Sequence, residues 1–255
     1  MFQEGQAEVA HRKDDPFYRF FPGAFSCQVE YLRRCENWER GMVAIPYEVS
    51  VSHSLIEASQ SSVFFDIETF YMPEELGFTR YIRDEREGYI PKQRLGLAVT
   101  IDNLGRVGCW DECQAKPLVD YLTQFDRVIS YNGLAFDNLV LSGYVPPERV
   151  QVIAERTFDL YQYLTDLNGM KRKLAQWSEY YLGVTSFGKS LLSSGYGYEN
   201  GRLVKGFDKK NSIPFILREG SAAQKVLVWI ACFEDVYNLM CINWELEFEQ
   251  QKKHL

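Results

Sequence analysis

The sequence predicts an α/β domain in which helices flank a mixed sheet, preceded by an N-terminal extension. Two observations indicate this class. Strand-like segments come first as a hairpin and then alternate with amphipathic helices, and that succession is typical of sheets that combine antiparallel and parallel strands. In addition, 46% of the 255 residues are hydrophobic and 15% are aromatic, which is enough to build one sizeable core.

Each segment of the main domain is assigned from its local pattern. Residues 62–69, SVFFDIET, are mainly β-branched and aromatic, with acidic residues near the end, as in a buried strand. The Gly/Ser/Tyr-rich residues 184–206 are expected to form a loop. In chain order the prediction is strands 62–69, 94–102 and 106–110, helix 115–125, strand 127–133, helix 134–143, strand 156–160, helix 171–183, the loop, and a short and a long C-terminal helix.

The chain is expected to have two parts. Residues 1–60 form an extension, partly disordered, and residues 61–255 form the main domain. The extension begins with a polar stretch that lacks the apolar core of a secretory signal, and no apolar run approaches the ~20 residues of a membrane span. The six scattered cysteines are typical of reduced thiols. We therefore expect an intracellular protein, cytoplasmic or nuclear, that contacts no membrane.

The charge and the scarcity of zinc ligands narrow the function classes. A formal net charge of −7 argues against strong nonspecific binding to nucleic acid by bulk charge, but it suits a site built from carboxylates around cations. No cysteine pair has CxxC spacing and the chain has three histidines, so a structural zinc site is not expected.

Two acidic residues lie two positions apart on the first predicted strand. Asp66 and Glu68 therefore point to the same face of the sheet. In an otherwise apolar run, two such carboxylates repel each other and lose solvation, and a hard divalent cation commonly stabilises such a pair. The alternative is a strand end at which both acids reach water.

Two further acids stand on later elements. Asp137 follows YNGLAF and falls in the first turn of a predicted helix, where the helix dipole or a metal ion would stabilise it. Asn132, at the tip of the preceding strand, is either a substrate contact or part of the turn. Asp235, in CFEDV, interrupts the apolar C-terminal helix. A buried acid is costly unless paired, and we expect it to face the core.

Taken in order, FDIET, YNGLAFD and ACFEDV resemble the three motifs of DEDD-type 3′–5′ exonucleases in the ribonuclease H-like superfamily. The fragments TFDL, KLAQWSEYYLG, GKS and REG resemble those of a branch of predicted exonucleases found alone or beside helicase domains. The resemblance covers roughly residues 62–242. It implies a ribonuclease H-like fold and a single-stranded 3′ end of DNA or RNA as substrate, with a helicase as a possible protein partner. It also implies two Mg²⁺ or Mn²⁺ ions bound by Asp66, Glu68, Asp137 and Asp235.

The sequence departs from this family at Ala231. Active members carry a Tyr or His a few residues before the last Asp, where it positions or deprotonates the attacking water. Ala231 offers no such group, and loss of a general base typically costs ~10²–10⁴ in rate. Three possibilities stay open: a 3′–5′ exonuclease, a weak or inactive nucleic-acid-binding or complex-assembly module on the same fold, and another phosphotransferase or structure-specific endonuclease.

Four residues are predicted to contact the substrate. Thr69 and Phe70 directly follow the acidic pair, and Phe70 would either stack on a terminal base or pack within a loop. Asn132 lies at the strand tip described above. Lys189 belongs to a basic part of the chain and would contact phosphate or remain a solvated surface charge.

Overall fold

The structure is a computed structural model that describes residues 48–49, 61–78, 86–184, 187–199, 202–208 and 212–252. The predicted extension over residues 1–60 lies outside the described residues except for Glu48–Val49, which form a short edge strand. The main domain is therefore the part of the chain whose architecture bears on function.

A six-stranded mixed sheet combines five strands of the predicted main domain with the edge strand Glu48–Val49 from the predicted extension. β2, β3 and β4 form an antiparallel meander, and β5 and β6 run parallel to β2 on its other side. The spatial order is β1-β4-β3-β2-β5-β6, which is the mixed sheet of a ribonuclease H-like fold, so the predicted fold class is confirmed. The strands are β1 Glu48–Val49, β2 Ser62–Thr69, β3 Leu95–Asp102, β4 Val107–Trp110, β5 Arg127–Ser130 and β6 Thr157–Asp159.

Helices cover both faces of this sheet, and a small hairpin lies apart from it. The helices are α1 Arg86–Tyr89, α2 Ala115–Leu122, α3 Asp137–Leu141, α4 Pro147–Arg156, α5 Leu160–Asn168, α6 Leu174–Leu182, α7 Phe187–Ser193, α8 Ile213–Glu219 and α9 Ala222–Lys252. The hairpin pairs β7 Tyr196–Glu199 with β8 Arg202–Lys205.

The alternation of side chains along β2 divides the core into two layers. Val63, Phe65 and Ile67 are buried on the face that α2, α3 and α4 cover. Phe64 belongs to the opposite layer, beneath α9. Because successive residues of a strand point to opposite faces, Asp66 also lies on the α9 side. The period of the strand thus determines which layer receives the acids.

The predicted element order differs from the structure in two stretches, 184–206 and 147–156. The stretch 184–206, expected to be a loop, contains α7 and the β7–β8 hairpin. Its glycines permit close packing: a Cβ at Gly197 would lie 3.0 Å from the Cβ of Ala223 on α9. In addition, the predicted element order contains no helix over the residues of α4, although Pro147 at its first position and the buried Val150 and Ile153 one turn apart are ordinary helix signals.

The long helix α9 corrects the expectation about apolar runs. Within the described residues, Ala222–Glu247 is long and apolar enough to cross a membrane by length and composition, with a mean hydropathy of 1.4 in its most apolar window. Within the fold, 83% of that window is buried, because α9 packs across β2 and β3. The apolar run is therefore the central helix of the core.

Candidate active site

The four predicted acids converge from three elements. Asp66 and Glu68 lie near the carboxyl end of β2. The neighbouring parallel strand β5 leads into α3, whose first residue is Asp137. Because parallel strands end at the same edge of a sheet, their following segments meet there. Asp235 reaches the same edge from α9 and is 6% exposed, so it faces the interior.

These acids line one cavity of about 460 Å³. Carboxylate oxygens of Asp66, Glu68 and Asp235 lie within 4.8 Å of one another. Asp137 lines the same cavity beside them. The spatial meeting of four acids scattered over some 170 positions is therefore a feature of the fold. The register irregularity of β2 between Glu68 and Thr69 is of a kind often found next to active sites.

Burial and mutual repulsion raise the pKa values of three of these acids. The pKa of Asp66 lies well above its usual value, first because of burial and then because of the charges of Asp235, Asp137 and Glu68. Burial also raises the pKa of Glu68 to about 7, although the nearby Lys189 lowers it. A divalent cation would relieve this repulsion, because it favours the ionised form of each carboxylate.

Asp137 provides the clearest sign of a missing partner. Its side chain is 2% exposed, and none of the described residues donates a hydrogen bond to its buried Oδ1. Burial and then the charges of Asp159 and Glu68 raise its pKa well above the usual range. An unpaired buried carboxylate oxygen is costly. The set of carboxylate oxygens fits a hard cation such as Mg²⁺ or Mn²⁺.

Lys189 extends from α7 into this cluster. Its ammonium donates a hydrogen bond to Asp235 Oδ2 and lies 3.8 Å from Glu68 Oε1. Burial alone would lower the pKa of Lys189, but the charges of Glu68, Asp235 and Asp66 raise it well above its usual value. The side chain is therefore a cation that neutralises part of the acidic cavity.

The surroundings of Ala231 explain how α7 reaches the site. A Cβ placed on Gly188 would lie 2.7 Å from the backbone nitrogen of Ala231 and 3.0 Å from its Cβ. The backbone N–H of Gly188 also donates to Glu234 on the same helix. The space next to position 231 is therefore filled by the α7 backbone, which brings the next residue, Lys189, to the acids.

The predicted substrate contacts divide into two groups. Asn132 and Lys189 line the cavity, and Asn132 has a φ of 66°, which Asn tolerates better than most residues. Thr69 and Phe70 are each 5% exposed and are not among the cavity residues. The Thr69 hydroxyl donates to the carbonyl of Tyr71, and the Arg94 guanidinium covers the Phe70 ring. In this structure Phe70 therefore packs within the fold.

Residues beyond the predicted site residues also line the same cavity: Tyr131, Phe136, Tyr161, Arg172, Lys173 and Leu174. The Tyr131 hydroxyl donates to the carbonyl of Arg172, which attaches the α5–α6 loop to the strand tip. Tyr131 could have been found as the residue next to Asn132. Arg172 and Lys173 carry only a charge signal, which does not indicate where a loop returns to the sheet.

Asp159 is an acid with a structural role. Its carboxylate accepts hydrogen bonds from the backbone N–H groups of Asn132, Leu134 and Tyr161. It thereby fixes the turn after β5 and caps the start of α5. This explains how the turn that leads to Asp137 is held in place.

Comparison with known proteins adds a distant likeness. No protein-family model and no curated protein matches the chain. Among solved structures, the chain is similar to the family B DNA polymerase from the hyperthermophilic archaeon Pyrobaculum calidifontis, with 14% sequence identity and a TM-score of 0.47. The similarity covers 80% of this chain and 28% of the polymerase chain.

Proposed function

We propose that this protein is a metal-dependent 3′–5′ exonuclease that hydrolyses phosphodiester bonds of DNA or RNA. In this proposal the metal ligands are the carboxylates of Asp66, Glu68, Asp137 and Asp235, which hold two Mg²⁺ or Mn²⁺ ions. The observation that carries the proposal is the convergence of these carboxylates in one cavity, with raised pKa values of Asp66, Glu68 and Asp137 and an unpaired oxygen on Asp137. When bound, two such ions activate water and stabilise charge on the attacking and leaving oxygens.

The chain's own groups orient the substrate around this cluster. Lys189, already protonated beside Asp235, donates to a non-bridging phosphate oxygen. Asn132 also lines the cavity and offers an amide to the terminal nucleotide. The turn held by Asp159 keeps Asn132 and Asp137 in place, so that little reorganisation accompanies the reaction.

Position 231 contributes no base to this reaction, because Ala231 has no proton acceptor and the α7 backbone packs against it. Hydrolysis should therefore be slower than in an enzyme with a Tyr or His there, by up to ~10²–10⁴. The same observation favours a second candidate function. A weak or inactive nucleic-acid-binding or complex-assembly module would keep the fold and dispense with the base.

A cleavage assay separates these functions. Purified protein is incubated with Mn²⁺ and a 5′-labelled single-stranded oligonucleotide of DNA or RNA, beside the Asp66→Asn variant. A 3′–5′ exonuclease produces a ladder of successively shorter labelled products, which Asp66→Asn does not. Equal background cleavage by both proteins would reject the enzyme and favour the binding module.

A circular single strand tests the remaining alternative. An exonuclease needs an end and leaves the circle intact, whereas an endonuclease linearises it. Immediate release of the 5′ label as a mononucleotide from the linear strand would contradict the proposed polarity. We place the protein inside the cell, with a helicase as a possible partner, and co-purification of tagged protein from its own cells tests that association.

A further inference from the structure

Exposed apolar side chains are frequent in the segment that contains the cavity residues Arg172, Lys173 and Leu174. Of the eight large apolar side chains that are exposed among the described residues, four lie between residues 167 and 184. They are Leu167, Met170, Tyr180 and Val184, and Tyr180 is the most exposed of the eight, at 64%. Leu167 lies near the end of α5, Met170 in the α5–α6 loop, Tyr180 on α6 and Val184 just after it.

Arg172 lies between Tyr180 and the cavity. Its guanidinium carbon lies 4.9 Å from the Trp177 ring centroid and 5.5 Å from the Tyr180 ring centroid. Arg172 also lines the cavity with the four acids. The path from the acids to Tyr180 is therefore continuous, and a polymer with one end in the cavity would cross Arg172 next.

The Tyr180 ring is held in a defined orientation. It packs edge-on against Trp177, with ring centroids 6.0 Å apart, and against Tyr181 at 5.0 Å. Trp177 is 1% exposed and supports the ring from inside the fold. A fixed aromatic ring loses little conformational freedom on binding, which favours affinity.

The positive charges of the α5–α6 loop favour a polyanion as the ligand of this segment. Lys171, Arg172 and Lys173 are three consecutive cations in a chain of net charge −7, and both lysines are exposed. Cations of this kind contact phosphates, while an exposed ring beside them stacks on a base. In a duplex the bases are already stacked on one another, so a single strand fits this combination.

Phe70 and Tyr71, the aromatic residues that follow the acidic pair on β2, are not available for this role. Arg94 lies over Phe70 and Tyr71, and Arg218 lies 4.7 Å from the Tyr71 ring centroid. Arg218 also donates to the carbonyl of Phe70 and pairs with Glu75. Phe70 is 5% exposed and Tyr71 is half-buried, whereas Tyr180 remains 64% exposed although Arg172 lies beside its ring.

We propose that Tyr180 and Arg172 form a stacking site for single-stranded nucleic acid outside the acidic cavity. A base stacks on Tyr180, and the adjoining phosphates contact Arg172 and its neighbouring lysines. The assignment of this site to nucleotides on the 5′ side of a 3′ end rests on the proposed function. The binding of a single strand itself does not, because it needs neither metal nor cleavage.

The test is fluorescence anisotropy with the full chain in EDTA, using labelled oligothymidylate and oligouridylate of about twenty nucleotides. The variant Tyr180→Ala should bind about tenfold more weakly than wild type, whereas Tyr180→Phe, which keeps the ring, should bind like wild type. The matched control is Leu104→Ala, since Leu104 is also exposed but follows β3 at the opposite end of the sheet. A labelled duplex should bind more weakly than the single strands.

Several outcomes would overturn the site: no binding by wild type, equal binding by wild type and Tyr180→Ala, or equal loss in the Leu104→Ala control. Tighter binding of duplex would do the same. Cleavage by wild type together with unchanged binding by Tyr180→Ala would reject this site and leave the exonuclease standing. Weakened binding by Tyr180→Ala without any cleavage would support the site and reject the exonuclease.

Discussion

Asp102 and the four acids of the cavity lie at opposite ends of the sheet and differ in the hydrogen bonds that the protein gives them. Asp102, at the end of β3 away from the cavity, is fully buried. It accepts hydrogen bonds at 2.9 Å from the backbone N–H groups of Leu104 and Arg106, and the Arg106 guanidinium binds it at 2.5 Å. This acid is completed by the protein's own donors and serves the hairpin turn between β3 and β4.

The four acids of the cavity receive few hydrogen bonds from the described residues, although they bring four carboxylate groups together. Asp66 receives a weak contact at 3.7 Å from the Cys232 thiol, and the buried Oδ1 of Asp137 receives no hydrogen bond from the described residues. Lys189 provides a single ammonium for the cluster. The difference teaches that burial alone does not mark a functional acid. A functional acid is identified instead by a buried carboxylate oxygen to which the fold supplies no hydrogen-bond donor, so that the oxygen can bind a cation.

The largest expected effect is the loss of Mn²⁺ affinity and cleavage in Asp66→Asn, a loss of metal binding that the corresponding change at Asp102 should not cause. Asp66→Asn removes a proposed ligand and should lower Mn²⁺ affinity and cleavage by at least about 10²-fold, since even changes beside metal ligands cost 10–100-fold. The metal-free variant should be as stable as wild type or more so, because the change removes a repelled charge. Isothermal titration with Mn²⁺ and a urea melt in EDTA measure the two quantities. An Asp66→Asn variant that binds Mn²⁺ as tightly as wild type would contradict the assignment of Asp66 as a metal ligand.

The converse variant is Asp102→Asn. It should lower the free energy of unfolding by about 2–3 kcal/mol, because it weakens hydrogen bonds to a buried charged group and leaves Arg106 without its carboxylate. Its Mn²⁺ affinity should equal that of wild type under conditions where it is folded. Urea denaturation and the same titration give both values, and a loss of Mn²⁺ binding by the folded variant would contradict the assignment.

A third variant probes the wall of the cavity. Ala231→Tyr introduces the residue type found at this point in the exonuclease motif that the sequence resembles, but the α7 backbone occupies the adjoining space. We expect a loss of about 1–3 kcal/mol in stability from overpacking, and no gain in cleavage. The control is Val152→Tyr, at an exposed position of α4. Faster cleavage by a stable Ala231→Tyr protein would show that α7 yields at this point.

The last expected effect is a dependence of stability on pH in the absence of metal. Folding raises the pKa of Glu68 from 4.5 to about 7, so the folded state binds more protons than the unfolded state in that interval. Stability in EDTA should therefore fall as the pH rises from about 5 to 8. Glu68→Gln should reduce the slope, and thermal melts at each pH record it. A slope of the opposite sign would contradict this electrostatic account.

Local patterns in the sequence were sufficient for the parts of the site that depend on period and order. The spacing of Asp66 and Glu68 places them on one face of β2 because strands have a period of two. The succession of strands and helices determined the class of sheet. The start of α3 placed Asp137 at the edge where the parallel strands end.

The remaining features depend on contacts between distant segments. Phe70 is covered by Arg94 and held by Arg218, 148 positions away, so its local context could not show that its ring is unavailable. The glycines of 184–206 suggested a loop, yet Gly188 allows α7 to pack against Ala231. Lys189 reaches Asp235 only as a result of that packing.

The most direct test of the metal site is anomalous diffraction from crystals of the protein soaked in Mn²⁺. We expect two anomalous peaks in the cavity, each within about 2.6 Å of carboxylate oxygens from Asp66, Glu68, Asp137 or Asp235, and no peak at Asp102. An empty cavity at a saturating Mn²⁺ concentration, with Lys189 still paired to Asp235, would contradict the account.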